Sequence, residues 1–465
     1  MSLWNWQELN LALGLAGGGD GPDVSGVSID SRTLRAGDLF VALSGDPGPR
    51  FHSSFEGARD GHDFLESAVA AGAAAVLVDR EVEAAVPQLR VEDTLDGLWD
   101  LARFARGRIS GKVVAITGSS GKTTARVYVE HVLGELGVVH GSEGSLNNHW
   151  GLPLSIARMP RDTEFAVFEI GMNHVGEIAP LARLAAPDVA VVLNVLPAHL
   201  GFFDSLDAIR REKLSIAAGL SSSGILVVPD DLDLTGVAPS EVITFGFSEH
   251  GDVRCRGYEQ RDDWLVSAAS GGRELEFVLA EGGRHRVLTG LATLAVVQAL
   301  SADVQRAATS LRQVQLPEGR GNRHEIDGLV LVDDSYNANP ASMSYALGLL
   351  GSSSAKRKIA ILGDMLELGE RATELHAGLA PDCDAVDMVI TVGPTMKSLF
   401  DRLPQEKRWQ HVESCRELDV VELSSHLLSG DELLVKGSKK MFWVEGFVAR
   451  LLQQLLDVQK KARNQ

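Results

Sequence analysis

The clearest chemical signal in this sequence lies in a short apolar run and the turn that follows it. Val113 to Ile116 predicts a buried parallel strand, the turn ends in Gly121-Lys122-Thr123, and a helical pattern of apolar residues comes next. This order is typical of a phosphate-binding loop, in which backbone N–H groups and the helix N-terminus attract phosphate oxygens. Lys122 would add a positive charge at the outer phosphates, and the Thr123 hydroxyl would ligate Mg²⁺. The sequence therefore predicts a nucleotide-binding site, with an ordinary glycine-rich turn as the alternative.

A carboxylate stands in the next predicted strand, Phe165 to Gly171, at Glu169. A charge within an apolar run costs several kcal/mol unless it is paired or bound to a metal. The alternative is that Glu169 lies at the exposed carboxyl end of the strand, but that end is also where open α/β sheets bind ligands. We favour Mg²⁺ ligation by Glu169.

Two further side chains add to this chemistry. His199 follows the predicted strand Val189 to Val195, where a lone histidine is either a satisfied surface group or a ligand. Lys213 falls on a predicted helix, within an apolar stripe that faces the core and consists of Leu206, Ile209, Ile216 and Leu220. A free ammonium there would be costly, and snorkelling to solvent is the alternative. Together with Glu169 and the phosphate loop, these residues indicate a site that performs chemistry.

Composition limits the partners of the chain. With 44 Lys and Arg against 63 Asp and Glu in 465 residues, the net charge is −19, which argues against nucleic acid or an anionic membrane as the main partner. The three cysteines show neither metal-ligand spacing nor a disulfide framework. No signal peptide is visible at the N-terminus, and the apolar runs are too short to span a bilayer. We therefore expect a cytoplasmic protein without membrane insertion.

The order of predicted elements indicates an α/β protein of about three domains. Residues 1–92 form a small N-terminal α/β domain, 93–317 a central domain with a phosphate loop and parallel βαβ units, and 318–465 a Rossmann-like domain. Antiparallel strands are predicted between Val253 and Leu279, and the last helix is predicted to begin at Phe442. The third domain lacks a glycine-rich dinucleotide fingerprint. On the residues alone, Ser31, Arg32 and His62 are turn and capping residues rather than ligands.

These motifs together resemble the Mur ligase family along nearly the whole chain. The family's phosphate loop is the short form seen here from Gly118 to Thr124, which accounts for Ile116 where the general motif has its first glycine. The other matching motifs are Asp30-Ser31-Arg32, Gly37 to Leu43, Asp60 to Phe64, Asn147 to Leu154, Glu169 to Asn173, Ala198-His199-Leu200 with Lys213, Gly319-Arg320, Asp334 to Pro340, Leu362 to Gly369 and Lys436-Gly437-Ser438. The pair Asp334 to Pro340 and Leu362 to Gly369 is characteristic of the branch that uses D-alanyl-D-alanine.

The resemblance implies a role for each domain. The first would hold the uridine end of the substrate, and the expected substrate-binding residues are Ser31, Arg32, Asn147 and Asn148. The second would hold ATP through its phosphate loop, Gly118, Ser119, Ser120, Gly121, Lys122, Thr123 and Thr124. The third would bring further residues to the nucleotide, namely Arg320, Asp334 and Asn337.

The resemblance also implies two Mg²⁺ sites. Glu169 with Thr123 would bind one ion, and His199 with Lys213 the other. Family lysines at the position of Lys213 are carbamylated, which would explain a lysine on an apolar stripe. The catalytic residues would thus be Lys122, Glu169, His199 and Lys213.

The implied reaction is ATP-driven amide formation in peptidoglycan precursor synthesis. The substrates would be UDP-N-acetylmuramoyl-tripeptide and D-alanyl-D-alanine, joined through an acyl phosphate, and we expect a monomer. Because anionic groups must approach one another, charge neutralisation and positioning would be the protein's main task.

Two stretches depart from the family pattern. The family usually has His-Asn-x-x-Asn near adenine, whereas this chain has His285-Arg286-Val287-Leu288-Thr289, and the loop from Gly45 to Gly57 is longer than expected. A folylpolyglutamate synthetase-like ligase is the alternative enzyme, against which the N-terminal Asp30-Ser31-Arg32 argues. A nucleotide-dependent regulator without catalysis is the alternative of another class, disfavoured because all the expected metal ligands are present.

Overall fold

The computed structural model of the chain describes residues 2–15, 20–45, 47, 51, 59–197, 202–260, 263–280 and 282–463. The chain divides into two compact units, one made of Met1–Val195 and Arg210–Val314, the other of Leu196–Ile209 and Gln315–Gln465. Within the described ranges, no helix combines the length and the apolar character needed to cross a membrane.

The first unit begins with a small parallel sheet whose strands lie in chain order. These strands are β1 (Gly26–Ser28), β2 (Asp38–Val41), β3 (Ala75–Val78) and β4 (Gln88–Arg90), and they accompany helices α1 (Trp6–Ala12) and α2 (Leu65–Ala70). Phe40, Val76 and Val78 belong to its apolar core. This part is fixed to the rest of the unit by hydrogen bonds, such as the one from the indole N–H of Trp4 to the Ala157 carbonyl at 2.9 Å.

A large mixed sheet follows in the same unit. Its strands are β5 (Lys112–Thr117), β6 (Val139–Gly141), β7 (Phe165–Glu169), β8 (Val189–Val192), β9 (Ile225–Pro229), β10 (Glu241–Gly246), β11 (Val253–Gln260), β12 (Trp264–Ser270) and β13 (Arg273–Leu279). Their spatial order is β13-β12-β11-β10-β9-β8-β5-β7-β6; in the described sheet the pairs β11–β12 and β12–β13 are antiparallel and the other pairs are parallel. The predicted antiparallel strands between Val253 and Leu279 are confirmed.

Helices cover this sheet and bury β5, β7 and β8 at its centre. The helices are α3 (Thr94–Gly107), α4 (Lys122–Gly134), α5 (Gly151–Ala157), α6 (Ile178–Ala185), α8 (Arg284–Ala299) and α9 (Val304–Ser310). A further helix, α7 (Leu206–Leu214), has its first four residues in the second unit and the rest in the first. Because the central strands are parallel and buried, they are almost wholly apolar, as Val113 to Ile116 illustrates. Their carboxyl ends meet at one edge of the sheet, where the phosphate loop follows β5.

The second unit contains the third sheet, ordered β14-β15-β19-β16-β17-β18 and parallel except between β14 and β15. Its strands are β14 (Asn322–Ile326), β15 (Leu329–Asp334), β16 (Arg357–Gly363), β17 (Met388–Val392), β18 (Arg408–Val412) and β19 (Asp431–Lys436). Its helices are α10 (Pro340–Ser352), α11 (Ala372–Ala377), α12 (Lys397–Arg402), α13 (Val420–His426) and α14 (Phe447–Arg463). The three sheets with their helices confirm the predicted three-domain α/β architecture.

Short 3₁₀ helices connect several of these elements. They span Gly61–Phe64, Ser215–Gly219, Leu311–Gln313, Gly369–Arg371, Pro381–Cys383, Gln405–Lys407 and Cys415–Glu417. His62 lies within the first of these helices, and its N–H donates at 2.9 Å to the carboxylate of Asp60, the residue that caps the helix.

Two predicted helices have different bounds in the structure. The helix that carries Lys213 ends at Leu214 and continues as a 3₁₀ turn, and Leu206 at its start is 47% exposed, so the predicted apolar stripe is not the face of a single helix. The terminal helix begins at Phe447 instead of Phe442. Gly446, with φ +60°, adopts a left-handed conformation that cannot lie inside an α-helix.

Candidate active site

The phosphate loop joins β5 to α4 with a geometry that leaves little freedom. Gly121 immediately precedes α4 and has φ +77°, a conformation that glycine adopts without strain. Asn194, which follows β8, accepts a hydrogen bond from the Ser120 N–H at 3.0 Å and donates one to the Ser120 carbonyl at 3.2 Å. The Lys122 ammonium donates to the Gly118 carbonyl at 2.8 Å, while the side chains of Ser119, Thr123 and Thr124 are buried beside the loop. The sequence analysis missed Asn194, since it lies more than seventy residues from the loop it fixes.

Glu169 is fully buried at the end of β7, next to the strand that leads into the phosphate loop. Its Oε2 accepts hydrogen bonds from the Thr123 hydroxyl at 3.2 Å and from the Asn147 amide at 3.4 Å. Its Oε1 accepts from Nε of Arg126 at 2.9 Å. The predicted cost of burying this charge is therefore offset by an arginine, so burial alone no longer argues for a metal ion.

Arg126 is a residue that the sequence analysis missed. Its guanidinium is buried and also donates from Nη1 to both oxygens of Glu130, at 2.6 and 2.7 Å. Burial acts to lower the pKa of Arg126, but the carboxylates of Glu130 and Glu169 outweigh burial and raise it. Lys122, Arg126 and Glu130 are spaced four residues apart on α4, which is the signal that could have shown them to share one helix face.

Lys213 lies in the last turn of α7 and is 1% exposed. Burial lowers its pKa well below the ordinary 10.5, and the nearby positive charge of Lys122 lowers it further, against a smaller opposing effect of Glu212. Among the described residues, its one hydrogen-bonding contact is to the sulfur of Met172 at 3.8 Å. The Glu212 carboxylate instead accepts from the N–H groups of Gly176 and Ile178, at 2.8 and 2.9 Å. Lys213 is thus a buried amine near the phosphate loop.

The remaining predicted metal ligand, His199, belongs to residues 198–201, which lie outside the described part of the chain. Within the part that is described, no group of three or more His, Cys, Asp or Glu side chains is placed to hold a metal ion. Two of the predicted ligands, Thr123 and Lys213, are of other types. The metal set accordingly stays a prediction.

The predicted substrate-binding residues fall into two places. Asn147 contacts Glu169, whereas Asn148 uses its side-chain oxygen to accept from the N–H groups of Trp150 and Gly151, at 3.2 and 2.9 Å, at the start of α5. Ser31 and Arg32 lie in the turn after β1. The Arg32 side chain is 86% exposed and pairs with Asp30 at 2.6 Å. The long loop from Gly45 to Gly57 lies mostly outside the described residues.

In the second unit, two of the predicted nucleotide contacts share a lysine. The ammonium of Lys436, at the end of β19, donates to the Asp334 carboxylate at 2.6 Å and to the Asn337 carbonyl at 3.1 Å. Arg320 lies over the ring of Tyr336 at 4.0 Å, next to Asn337 in the chain. Lys436 belongs to a motif that resembles the family but is not among the site residues predicted from the sequence. A charge at the end of an apolar strand, as at Glu169, was the signal available.

The helix that departs from the family's adenine motif also has a clear geometry. The Thr289 hydroxyl donates to the His285 carbonyl of its own helix at 3.0 Å, and Arg286 is buried. Arg284, at the first turn, stacks on the ring of Phe247 at 3.8 Å from the ring centroid. Thr289, which stands where the family usually has its second asparagine, is therefore hydrogen-bonded within its own helix.

Comparison with known proteins gives a consistent picture. The Mur ligase family model named for its catalytic domain matches residues 23–106, the Mur ligase middle domain matches 116–297, and the Mur ligase glutamate ligase domain matches 319–439. The UDP-N-acetylmuramoyl-tripeptide–D-alanyl-D-alanine ligase of Rickettsia prowazekii is 30% identical over 450 residues, which is 94% of this chain and 97% of that protein. The enzyme of the same name from Bacillus subtilis is 33% identical over 429 residues, covering 90% and 91%.

Solved structures agree with the sequence comparison. MurF from Acinetobacter baumannii has a TM-score of 0.84 at 29% identity and covers 97% of this chain and 99% of its own. MurF ligase from Thermotoga maritima in complex with ADP has a TM-score of 0.78 at 30% identity, covering 94% and 98%. The chain belongs to the Mur ligase family and is similar along nearly its whole length to the MurF enzymes of that family.

Proposed function

We propose that this Mur ligase joins D-alanyl-D-alanine to UDP-N-acetylmuramoyl-tripeptide in peptidoglycan precursor synthesis. The chain is an ATP-dependent ligase, and the observation that carries the substrate assignment is its similarity, over 94% of its length, to an enzyme named for that reaction. The preformed phosphate loop from Gly118 to Thr124 supports the ATP requirement. The aligned region includes all three sheets, so the likeness is not confined to the nucleotide-binding part.

The proposed reaction has two steps that balance. An oxygen of the tripeptide carboxylate bonds to the γ-phosphorus of ATP as the bond to the bridging oxygen breaks, and ADP leaves with that electron pair. The amine of D-alanyl-D-alanine then bonds to the acyl carbon, the carbon–oxygen bond of the acyl phosphate breaks, and inorganic phosphate leaves while the nitrogen loses a proton. Lys122 neutralises the phosphate oxygens in the first step, because its ammonium already lies at the loop.

One Mg²⁺ site is proposed at Thr123 and Glu169. Their hydroxyl and carboxylate oxygens lie 3.2 Å apart at the edge of the phosphate loop, and hard oxygen donors of this kind suit Mg²⁺. When bound, the ion would supply positive charge to the phosphates. Thr123 and Glu169 are therefore suitable ligands for Mg²⁺, and Oε2 of Glu169 lies beside the Thr123 hydroxyl of the loop.

A second Mg²⁺ site is proposed at His199 and a carbamate of Lys213. The depressed pKa of Lys213 favours the neutral amine, which is the form that reacts with CO₂. In that reaction the nitrogen bonds to the carbon of CO₂ and releases one proton, and the product is an anion with oxygen donors. Full burial of the amine is the feature that supports this proposal.

Other assignments remain part of the proposal. We keep Arg320, Asp334 and Asn337 as nucleotide contacts, and the UDP-substrate contacts as Ser31, Arg32, Asn147 and Asn148. We also propose domain boundaries after residues 92 and 317, a monomeric state and a cytoplasmic location. The alternative, a folylpolyglutamate synthetase-like ligase, has no specific structural observation in its favour.

The reaction is tested by mass spectrometry of products. Purified protein is given ATP, Mg²⁺ and UDP-N-acetylmuramoyl-tripeptides that differ in the third residue, together with D-alanyl-D-alanine, with D-alanine alone, or with neither. We expect the pentapeptide product and stoichiometric ADP only when both substrates are present. Product formation with a single amino acid but not with the dipeptide would contradict the assignment.

A further inference from the structure

The two oxygens of Glu169 have different neighbours. Oε2 lies against the Thr123 hydroxyl and the Asn147 amide, at 3.2 and 3.4 Å. Oε1 lies 2.9 Å from Nε of Arg126, a residue of α4 one turn beyond Lys122. Only one oxygen of this carboxylate is therefore presented to the loop.

Arg126 is itself held in place. Nη1 donates to both oxygens of Glu130, one turn further along α4, and the guanidinium is buried. A guanidinium group is planar and rigid, so when it is hydrogen-bonded to two carboxylates it has little freedom to rotate. Glu130 fixes Arg126, and Arg126 in turn fixes the plane of the Glu169 carboxylate.

We infer that Arg126 is a positioning residue that makes Glu169 a one-oxygen ligand and thereby favours Mg²⁺ over Ca²⁺. This inference rests on the proposed role of Glu169 in metal binding. Mg²⁺ takes six ligands at short distances and usually one oxygen from each carboxylate, whereas Ca²⁺ accepts six to eight ligands and often both oxygens of one carboxylate. Because Oε1 accepts a hydrogen bond from Arg126, Glu169 cannot bind a metal ion with both of its oxygens.

Positioning differs from charge neutralisation in what it predicts. Removing a positive charge near a metal site should strengthen the binding of every divalent cation, and by similar factors, because the change is electrostatic. Freeing Oε1 should instead help Ca²⁺ more than Mg²⁺. The ratio of the two affinities therefore separates the two roles, and overall activity is not needed as a readout.

The experiment measures the affinity of Mg²⁺ and of Ca²⁺ for the full chain saturated with ADP, by competition against Mn²⁺ detected by electron paramagnetic resonance. In Arg126→Met we expect the preference for Mg²⁺ over Ca²⁺ to fall by about tenfold, because Ca²⁺ gains a second oxygen of Glu169 whereas Mg²⁺ does not. Arg126→Lys should not restore it, because an ammonium keeps the charge but not the rigid fork. An unchanged ratio in Arg126→Met, or full recovery in Arg126→Lys, would overturn the inference.

Two further variants make the test complete. Glu130→Gln changes the local charge but keeps a side-chain oxygen that can accept from Arg126, so Oε1 of Glu169 should stay occupied, both affinities should move together and their ratio should stay as in the unaltered protein. If Arg126→Met does not fold, the double variant Arg126→Met with Glu130→Gln removes the arginine without leaving two unopposed carboxylates, and the same fall in the ratio is expected.

Failure of the metal proposal is recognised separately. Glu169→Gln should weaken Mg²⁺ binding by about tenfold or more if Glu169 is a ligand. If Glu169→Gln leaves both affinities unchanged, the proposed role of Glu169 in metal binding is wrong, and the inference about Arg126 is wrong too. If it weakens Mg²⁺ while Arg126→Met leaves the ratio unaltered, only the inference is wrong.

Discussion

Each unit of this protein contains a lysine that is almost completely buried, and the two lysines have opposite surroundings. Lys436 is 2% exposed and donates to the Asp334 carboxylate at 2.6 Å and to the Asn337 carbonyl at 3.1 Å. Lys213 is 1% exposed, and in the described part of the chain its one hydrogen-bonding contact is the Met172 sulfur. A thioether is a weak acceptor that cannot offset the burial of an ammonium.

Since both lysines are buried, the difference in their properties comes from the groups that each one contacts. Beside Asp334 the ammonium makes a short charge-assisted hydrogen bond, so Lys436 connects the ends of β15 and β19. Burial lowers the pKa of Lys213, and the nearby positive charge of Lys122 lowers it further, so the neutral amine is favoured more than in an exposed lysine. We expect Lys436 to stabilise the fold, and we propose Lys213 as the amine that takes part in the chemistry.

The largest effect that sharpens this comparison should come from replacing each lysine by arginine. Lys213→Arg should lower turnover by about 10²- to 10³-fold or more, because a guanidinium keeps its charge and forms no carbamate. Lys436→Arg keeps a cation beside Asp334 and should lose far less. Steady-state kinetics with both substrates measures the two losses. Equal losses of turnover in the two variants would contradict the proposed difference in role between Lys213 and Lys436.

A related variant tests whether an anion is what the site requires. Lys213→Ala should be nearly inactive, and a small carboxylic acid added to the assay should restore part of the activity by filling the vacated space. The matched control is Lys436→Ala, which we expect to show no rescue by the same acid. Rescue of both variants, or of neither, would argue against a carbamate at Lys213.

A smaller effect is expected in stability. Lys436→Met leaves Asp334 without its cation and should lower the free energy of unfolding by about 2–3 kcal/mol, toward the lower end for broken buried pairs because Asp334 is partly exposed. A double-mutant cycle with Asp334→Asn, measured by urea denaturation, isolates the coupling between the two side chains. Additive effects of the two substitutions would show that the interaction between Lys436 and Asp334 does not contribute to the free energy of unfolding.

The smallest predicted effect concerns the pH dependence of stability. In CO₂-free buffer the folded state binds a proton at Lys213 less readily than the unfolded chain does, because the pKa is lowered on folding, so stability should rise with pH toward the ordinary lysine pKa of 10.5. The slope is at most about 1.4 kcal/mol per pH unit. Lys213→Met should lack this contribution, and its advantage over the unaltered chain should shrink between pH 7 and 9. A constant difference across that range would contradict a lowered pKa.

How much of this could be predicted depends on the distance in sequence between the residues involved. The phosphate loop was predictable because its strand, turn and helix are contiguous. The Glu169 charge was also visible, but its partner Arg126 lies 43 residues away, and a single sequence does not pair them. Likewise Asp334 and Lys436 are 102 residues apart, joined only by the neighbouring positions of β15 and β19. Long-range pairing, rather than local pattern, decided these contacts.

The misplaced start of the last helix has a local cause. Phe442 and Phe447 are both fully buried, and their rings lie 5.4 Å apart, so the apolar pattern begins before the helix does. The left-handed Gly446 between them sets the true start. Apolar spacing shows which side chains enter the core, but backbone conformation decides where a helix can begin.

The most direct test of the central claim, that Lys213 and not Lys436 is the reactive amine, is ¹³C nuclear magnetic resonance of the protein equilibrated with ¹³CO₂. We predict a carbamate resonance in the active protein that persists in Lys436→Met and disappears in Lys213→Ala. Absence of the resonance in fully active protein, or its persistence in Lys213→Ala, would contradict the account.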